Sequence, residues 1–348
     1  MRLVAAWRFC ITVLILGLII PASLASFASA QEPDTPNAPP RSTPPPQPIP
    51  DRNSASQGAD GKAAKGDDQE EGFVFKKQVE EVVLHATVID SDRHLKTHLE
   101  RVNFSVFEDG RPQAITSFRS EDVPVAIGIV VDNSGSMRDK REKVSQAVLN
   151  LVRASNPRDE VFVVNFNRNS YLDQDFTSDP GLLERALHQV SMQGDTALYD
   201  AVVASAIHLE NNSRFDKRIL LVITDGQDNM SRETLDEAVR GVERRNGPTL
   251  YAVGLMGGGM QGMGRQALQR LADATGGAAF FPDDLSQVED ITQKLAHDIR
   301  SQYIIAYKPQ DEDPRAGFHP IQVQARAPGL PQLTVRTRSG VYTDEASR

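Results

Sequence analysis

VAIGIVVDNSGSM, residues 125–137, joins an unbroken apolar run to a cluster of small hydroxyl and acidic residues. Residues 125–131 show no alternation of apolar and polar side chains. A strand with one wet face alternates, whereas a strand covered on both faces does not. The run therefore reads as an inner strand of a parallel sheet. The hydroxyl-rich turn behind it falls where such sheets gather ligands, outside the carboxyl ends of their strands.

The same signature returns downstream in VFVVNF (161–166), RILLVITD (218–225) and PTLYAVGL (248–255), with GGAAFF (276–281) as a shorter candidate. After the 125–132 run and before 161–166, Val144, Ala147, Val148, Leu151 and Val152 recur at helical spacing. Further helices are expected over 180–190, 198–209, 234–245 and 286–300, the last with Val288, Ile291, Leu295 and Ile299 on one face. Buried strands alternating with amphipathic helices predict an α/β, Rossmann-like fold: a mostly parallel sheet with helices on both faces.

Polar residues cluster at the strand ends of that scaffold. One strand closes in Asp132-Asn133-Ser134-Gly135-Ser136, another in Thr224-Asp225-Gly226, and Gly194-Asp195-Thr196 precedes a helix. Three loops thus bring Asp132, Ser134, Ser136, Thr196 and Asp225 to one edge. All five offer oxygen, and none offers nitrogen or sulfur. Such a set suits a hard cation, Mg2+ or alternatively Mn2+ or Ca2+, over zinc or copper.

DNSGSM, then GDTALYDA, then VITDG resemble the metal-ion-dependent adhesion site of von Willebrand factor type A domains, with the likeness running over about 124–302. The resemblance implies that Ser134 and Ser136 ligate the metal directly. It implies that Thr196 ligates directly or through water, and that Asp132 and Asp225 act mainly through water and by holding the serines. It further implies a protein partner whose Asp or Glu carboxylate completes the metal shell. Neutral hydroxyls offset little of the ion's charge, so an open position stays electrophilic. Asp139 matches the first acid of a second, adjacent metal site in integrin β-type domains, but Lys140 stands where the next acid is required. Asp139 therefore reads as a solvated first-turn helix residue.

The flanks are β-patterned. VEEVVLHATVID (79–90) alternates and is rich in β-branched residues, and VNFSVFEDGRPQAITSF (102–118) outlines a hairpin turning at Asp109-Gly110, with Phe104, Val106, Ile115 and Phe118 facing inward. Strands return at 303–307, 321–325 and 333–337. Neither flank is large enough to hide its apolar face alone. The expectation is one small β-sandwich formed by both flanks, residues 73–123 and 303–343, with the A-type domain of 124–302 inserted in it. Flanking segments of this kind resemble those of a bacterial von Willebrand factor A-related group.

Residues 31–72 are rich in proline and then in small charged residues, too poor in apolar surface to fold, and read as a disordered spacer. Ahead of them, Arg2 and Arg8, the apolar run 9–20 and Ala28-Ser29-Ala30 read as a cleavable signal peptide over 1–30. The run falls short of the roughly 20 residues a spanning helix needs, so no stable membrane span is expected after cleavage. The expected location is secreted or periplasmic. Cleavage also removes Cys10, the chain's one cysteine. The chain carries 47 acidic against 38 basic residues, a net charge of -9, which argues against nucleic acid as partner.

The sequence favours a binding module over an enzyme. A metal-dependent hydrolase or phosphatase needs a nucleophile or base beside the metal, and Ser134 fills the position where an aspartyl phosphatase carries its second acid. A structural role in an envelope assembly is the other alternative. The glycine- and methionine-rich stretch 256–264 reads as a loop.

Overall fold

The computed structural model describes residues 81–188, 194–255, 262–309, 316–330 and 332–343. The signal segment, the spacer and the first residues of the N-terminal β unit fall outside these, as do residues 256–261 of the glycine- and methionine-rich stretch.

The N-terminal flank supplies β1 (Val82–Ile89), β2 (Phe104–Glu108), β3 (Arg111–Gln113) and β4 (Ile115–Arg119). The hairpin turns where expected. Asp109 and Gly110 both have positive φ, 51° and 74°, as a tight two-residue hairpin turn requires. Its second arm is split, however. β3 pairs with β2, whereas β4 leaves for a different sheet and pairs with a strand near the other end of the chain.

The inserted α/β unit runs β5 (Ala126–Asp132), α1 (Arg141–Ala154), β6 (Glu160–Phe166), β7 (Ser170–Thr177), α2 (Pro180–His188), α3 (Leu198–Asn212), β8 (Arg218–Thr224), α4 (Leu235–Val242), β9 (Thr249–Gly254), α5 (Met263–Thr275), β10 (Ala278–Phe280) and α6 (Gln287–Arg300). Its sheet has the order β10-β9-β8-β5-β6-β7, parallel except for β7. Every residue of β5 and β6 is buried. The apolar runs sit between two helical layers: Ile127, Ile129 and Val131 pack with α1 and α6, while Ala126 and Val130 pack with α3, α4 and α5. Gly128 is small because Phe162 fills its space; a Cβ there would lie 2.4 Å from the ring.

Two elements were not anticipated. β7 is an edge strand whose residues are mostly exposed, so it lacks the apolar run that marks the inner strands. α5 begins within the stretch read as a loop, and its core contacts come from Ala267, Leu268, Leu271 and Ala272 further along. α4 also stops at Val242, short of the expected 245, and the carbonyls that follow serve another partner. Arg338 donates to the carbonyls of Arg244, Arg245 and Gly247 at 3.0, 2.8 and 2.7 Å.

The C-terminal flank adds β11 (Tyr303–Tyr307), β12 (Gly317–Ala325), β13 (Thr334–Arg336) and β14 (Gly340–Thr343). Both antiparallel sheets mix strands from the two flanks, in the orders β13-β1-β11-β4 and β14-β12-β2-β3. They enclose one apolar core that includes Leu84, Val106, Tyr303, Ile305, Tyr307 and Val323. The α/β unit is thus inserted into a β-sandwich built by both flanks. Asp159 ties its entry to its exit, accepting from the Val125 amide at 2.9 Å and pairing with Arg300.

Candidate metal centre

β5 carries Asp132 as its last residue, in register with Phe166 of β6, and β8 ends one step away at Thr224. The central strands therefore deliver Asp132 and Asp225 to the same edge. The sandwich joins at the other end of these strands, near Val125 and Arg300. Over the seven residues of β5 this sets the two ends about 20 Å apart.

Asp132 is fully buried. Its Oδ1 accepts from the Ser134 amide at 2.8 Å and its Oδ2 from the Thr224 hydroxyl at 2.6 Å. Burial raises its pKa above the ordinary carboxylate range, against the pull of those donors, and the neighbouring Asp225 adds to the rise. Ser134 Oγ lies 3.1 Å from Ser136 Oγ, and the Ser136 hydroxyl donates to Asp225 Oδ1 at 2.8 Å. The other Asp225 oxygen accepts from the Lys140 ammonium. Thr196, nearly buried, is fixed through its backbone: its amide donates to Asn229 Oδ1 at 2.9 Å and its carbonyl accepts from the Asn229 amide at 3.0 Å. Gly226 keeps the space between the loops open. A Cβ there would lie 3.1 Å from Thr196 Oγ1 and 3.7 Å from Asp132 Oδ2.

All five residues singled out from the sequence meet at this edge. They border or underlie a cleft of about 570 Å³ lined by Ser134, Ser136, Asp195, Thr196, Gln227 and Asn229, among others. The donor set fits a divalent cation. Two cis ligands of an octahedral ion with bonds of 2.0–2.1 Å stand about 2.9 Å apart, close to the 3.1 Å between the serine hydroxyls. Ser134 and Ser136 would be its direct ligands, Thr196 would face it across the cleft left by Gly226, and Asp132 and Asp225 would orient the hydroxyls. Asp139 is exposed and precedes α1, so it is a solvated residue of the connecting turn and not of the helix.

Several supporting residues escaped the sequence reading. Thr224 and Asn229 carry Asp132 and Thr196. Beneath them Arg141, only 4% exposed, donates to Asn165 Oδ1 and to the Leu187 carbonyl. Its burial lowers its pKa to about 10, while Asp132 and Asp173 favour its charged form. It remains a cation at neutral pH, placed under a buried carboxylate. The available signal was position: Thr224 lies within the VITDG segment and Asn229 a few residues beyond it.

Other features are weaker. Asp90, Asp92 and His94 could together contact a cation, but Asp90 is committed to its own turn, accepting from the amides of Asp92 and His94 and pairing with Lys96 at 2.6 Å. A larger groove of about 750 Å³ lies where α4 and α5 meet β12 and β14. Its polar groups are bonded to one another, with Arg270 paired to Asp236 at 2.6 Å and the Ser339 hydroxyl donating to Glu243 at 2.6 Å, so it reads as a seam of the insertion. Among the described residues no helix is long and apolar enough to cross a membrane.

Residues 127–227 match the family described as von Willebrand factor type A domain. That segment is therefore of the von Willebrand factor type A kind. Among solved structures it is similar to a von Willebrand factor type A protein from Catenulispora acidiphila at 14% identity, over 78% of this chain and 76% of that one, with a TM-score of 0.46. It is similar to the von Willebrand factor domain of a type V pilus tip protein from Porphyromonas gingivalis at 11% identity, over 51% and 97%, TM-score 0.44. It is also similar to proximal thread matrix protein 1 of the mussel byssus, with a zinc-occupied adhesion motif, at 16% identity, over 56% and 50%, TM-score 0.45. The match spans about half of that mussel protein's length. No curated protein matches the chain.

Proposed function

We propose that this chain is an exported, divalent-cation-dependent protein-binding module and not an enzyme. The cation is Mg2+, Mn2+ or Ca2+, and an Asp or Glu carboxylate of a protein partner completes its shell. The observation that carries this reading is the oxygen-only set of Asp132, Ser134, Ser136, Thr196 and Asp225, gathered from three loops around the space above Gly226.

When bound, the ion supplies one electrophilic position for an incoming anion. The chain's own residues do the rest. Ser134 and Ser136 present neutral oxygens, leaving the ion's charge largely available to the partner. Asp132 accepts from the Ser134 amide and so holds that loop, while Asp225 accepts from the Ser136 hydroxyl and so aims its lone pairs at the cleft. Both carboxylates are occupied as acceptors, which suits orientation better than proton transfer or nucleophilic attack. Export to a periplasmic or extracellular compartment is part of the proposal, resting on Arg2, Arg8, the apolar run 9–20 and Ala28-Ser29-Ala30. Such compartments supply divalent ions and protein partners.

The test is affinity capture from the host's envelope fraction and culture medium with the full chain as bait. A partner retained in Mg2+, released by EDTA and lost with Ser134→Ala is the expected result. Retention that is indifferent to EDTA and to Ser134→Ala overturns the metal-dependent reading.

A further inference from the structure

Lys140 stands at the start of α1, at its N-cap position. Arg141 follows as the first helical residue, so two cations occupy the end of a helix that favours anions. Each is explained by a carboxylate of the candidate metal centre. Arg141 lies close enough to Asp132 for that carboxylate to favour its charge, and Lys140 pairs with Asp225. The Asp225 side chain is 1% exposed and that of Lys140 18% exposed, so this pair sits largely out of water. Both oxygens of Asp225 are satisfied from the 134–140 segment, one by the Ser136 hydroxyl at 2.8 Å and one by the Lys140 ammonium. The ammonium holds the carboxylate that Ser136 needs as its acceptor.

We infer that Lys140 is a built-in counter-cation that competes with the divalent ion for Asp225 and so sets the metal affinity of the site. The inference rests on the proposed reading that Ser134 and Ser136 bind a divalent cation. An ion held by Ser136 stands next to the carboxylate that Lys140 already neutralises. A divalent and a monovalent cation sharing one nearly buried carboxylate repel each other strongly, since screening by water is weak there. Loading the metal therefore requires the ammonium to withdraw toward solvent, over the side that leaves Lys140 partly exposed, or to remain and weaken the ion. In the metal-free state the same ammonium offsets the repulsion between Asp132, at the end of β5, and Asp225, just beyond the end of the adjoining β8, and keeps the 134–140 segment in place. The lysine thus favours the empty site and opposes the filled one.

The test uses the full chain with Mn2+ alone as probe, followed by calorimetry, and compares the wild type with Lys140→Gln, Lys140→Met and Lys140→Arg. Glutamine retains a donor for Asp225 without the charge, which protects the fold. Lys140→Gln and Lys140→Met should bind Mn2+ about tenfold tighter or more, on the scale of removing one nearby like charge in a partly screened site. Lys140→Arg should stay within about threefold of wild type. Thermal unfolding in EDTA gives the second readout: Lys140→Met should melt below wild type, and saturating Mn2+ should close or reverse that gap. Equal or weaker Mn2+ binding in both neutral variants overturns the inference while leaving the metal reading intact. A melting gap that Mn2+ does not alter makes Lys140 a purely structural partner and also overturns it. Absence of Mn2+ binding in wild type and in every variant removes the metal reading, and the inference with it.

Discussion

Thr224→Val removes one hydroxyl and almost no volume, taking away the donor that orients Asp132 and, with it, the acceptor of the Gly226 amide at 3.1 Å. Thr224 and Asp132 are both fully buried, and the Thr224 hydroxyl donates to Asp132 Oδ2 at 2.6 Å. A hydrogen bond to a charged group contributes about 1.5–3 kcal/mol, and the metal-free domain should lose stability in that range at neutral pH. The effect depends on pH in a defined sense. The bond favours the ionised carboxylate, so removing it raises the Asp132 pKa further above its already raised position. Protonated Asp132 needs the donor less, and the stability gap between variant and wild type should therefore shrink as pH falls through that raised pKa. Metal affinity should fall 10- to 100-fold, the usual consequence of disturbing a group that orients a ligand. Urea unfolding in EDTA at pH 7.5 and pH 5, together with Mn2+ calorimetry, measures all three effects. A variant with wild-type Mn2+ affinity and a stability loss under about 0.5 kcal/mol would refute the assignment of Asp132 as a fixed acceptor behind the serines.

Ser134→Ala and Asp225→Ala should each abolish Mn2+ binding in calorimetry while leaving the circular dichroism of the folded chain unchanged. His85 has its pKa lowered to about 3, chiefly by burial and then by Lys217 and Arg338. The unfolded chain holds a proton that the folded chain releases, so stability should decline as pH drops from about 6.5 toward 3, by up to about 4–5 kcal/mol; His85→Leu should flatten that slope in urea titrations. Arg338→Met strips the donors from the carbonyls of Arg244, Arg245 and Gly247 and should destabilise the chain by about 1–3 kcal/mol, read by urea unfolding. Export predicts a mature terminus at Gln31, checked by terminal sequencing of the protein from its host; an intact Met1 in a membrane fraction contradicts it.

The inner strands were legible because burial on both faces leaves nothing for a polar residue to do: β5, β6, β8 and β9 are continuous apolar runs, and the structure buries nearly all of their residues. β7 was not, since one edge of the strand is unpaired and Ser170, Tyr171, Leu172 and Asp173 are exposed. Its sequence carries neither an apolar run nor clean alternation. The splitting of the 102–118 hairpin was illegible for a different reason. The turn is local chemistry at Asp109-Gly110, but the departure of β4 to pair with β11 depends on a strand nearly two hundred residues away. Insertion of the α/β unit followed from burial, because two strand-rich flanks each lacked a second layer. The register that joins them, such as Leu84 opposite Ile305, has no local signature.

The site divides along the same line. Its oxygen donors are legible because each stands at the end of a strand or just before a helix, in short segments whose composition is unusual. Their restraints are not, because each is a contact between loops that are distant in sequence: Thr224 on Asp132, Asn229 on Thr196, Lys140 on Asp225. This asymmetry has a physical basis. A donor is defined by its own chemistry, whereas a restraint is defined by what it touches, and the fold must exist before that is known. The architecture then adds a further consequence. The sandwich grips the ends of the sheet strands opposite the cleft, where Arg300 donates to Asp122 and the Val123 carbonyl and Arg338 donates to the carbonyls ahead of β9, so the loops of the cleft edge take no part in that attachment. Gly226, Asn229 and the 134–140 segment are thereby free to be arranged around the cation and the incoming carboxylate proposed for this edge, with the central sheet fixing Asp132 and Asp225 beneath them.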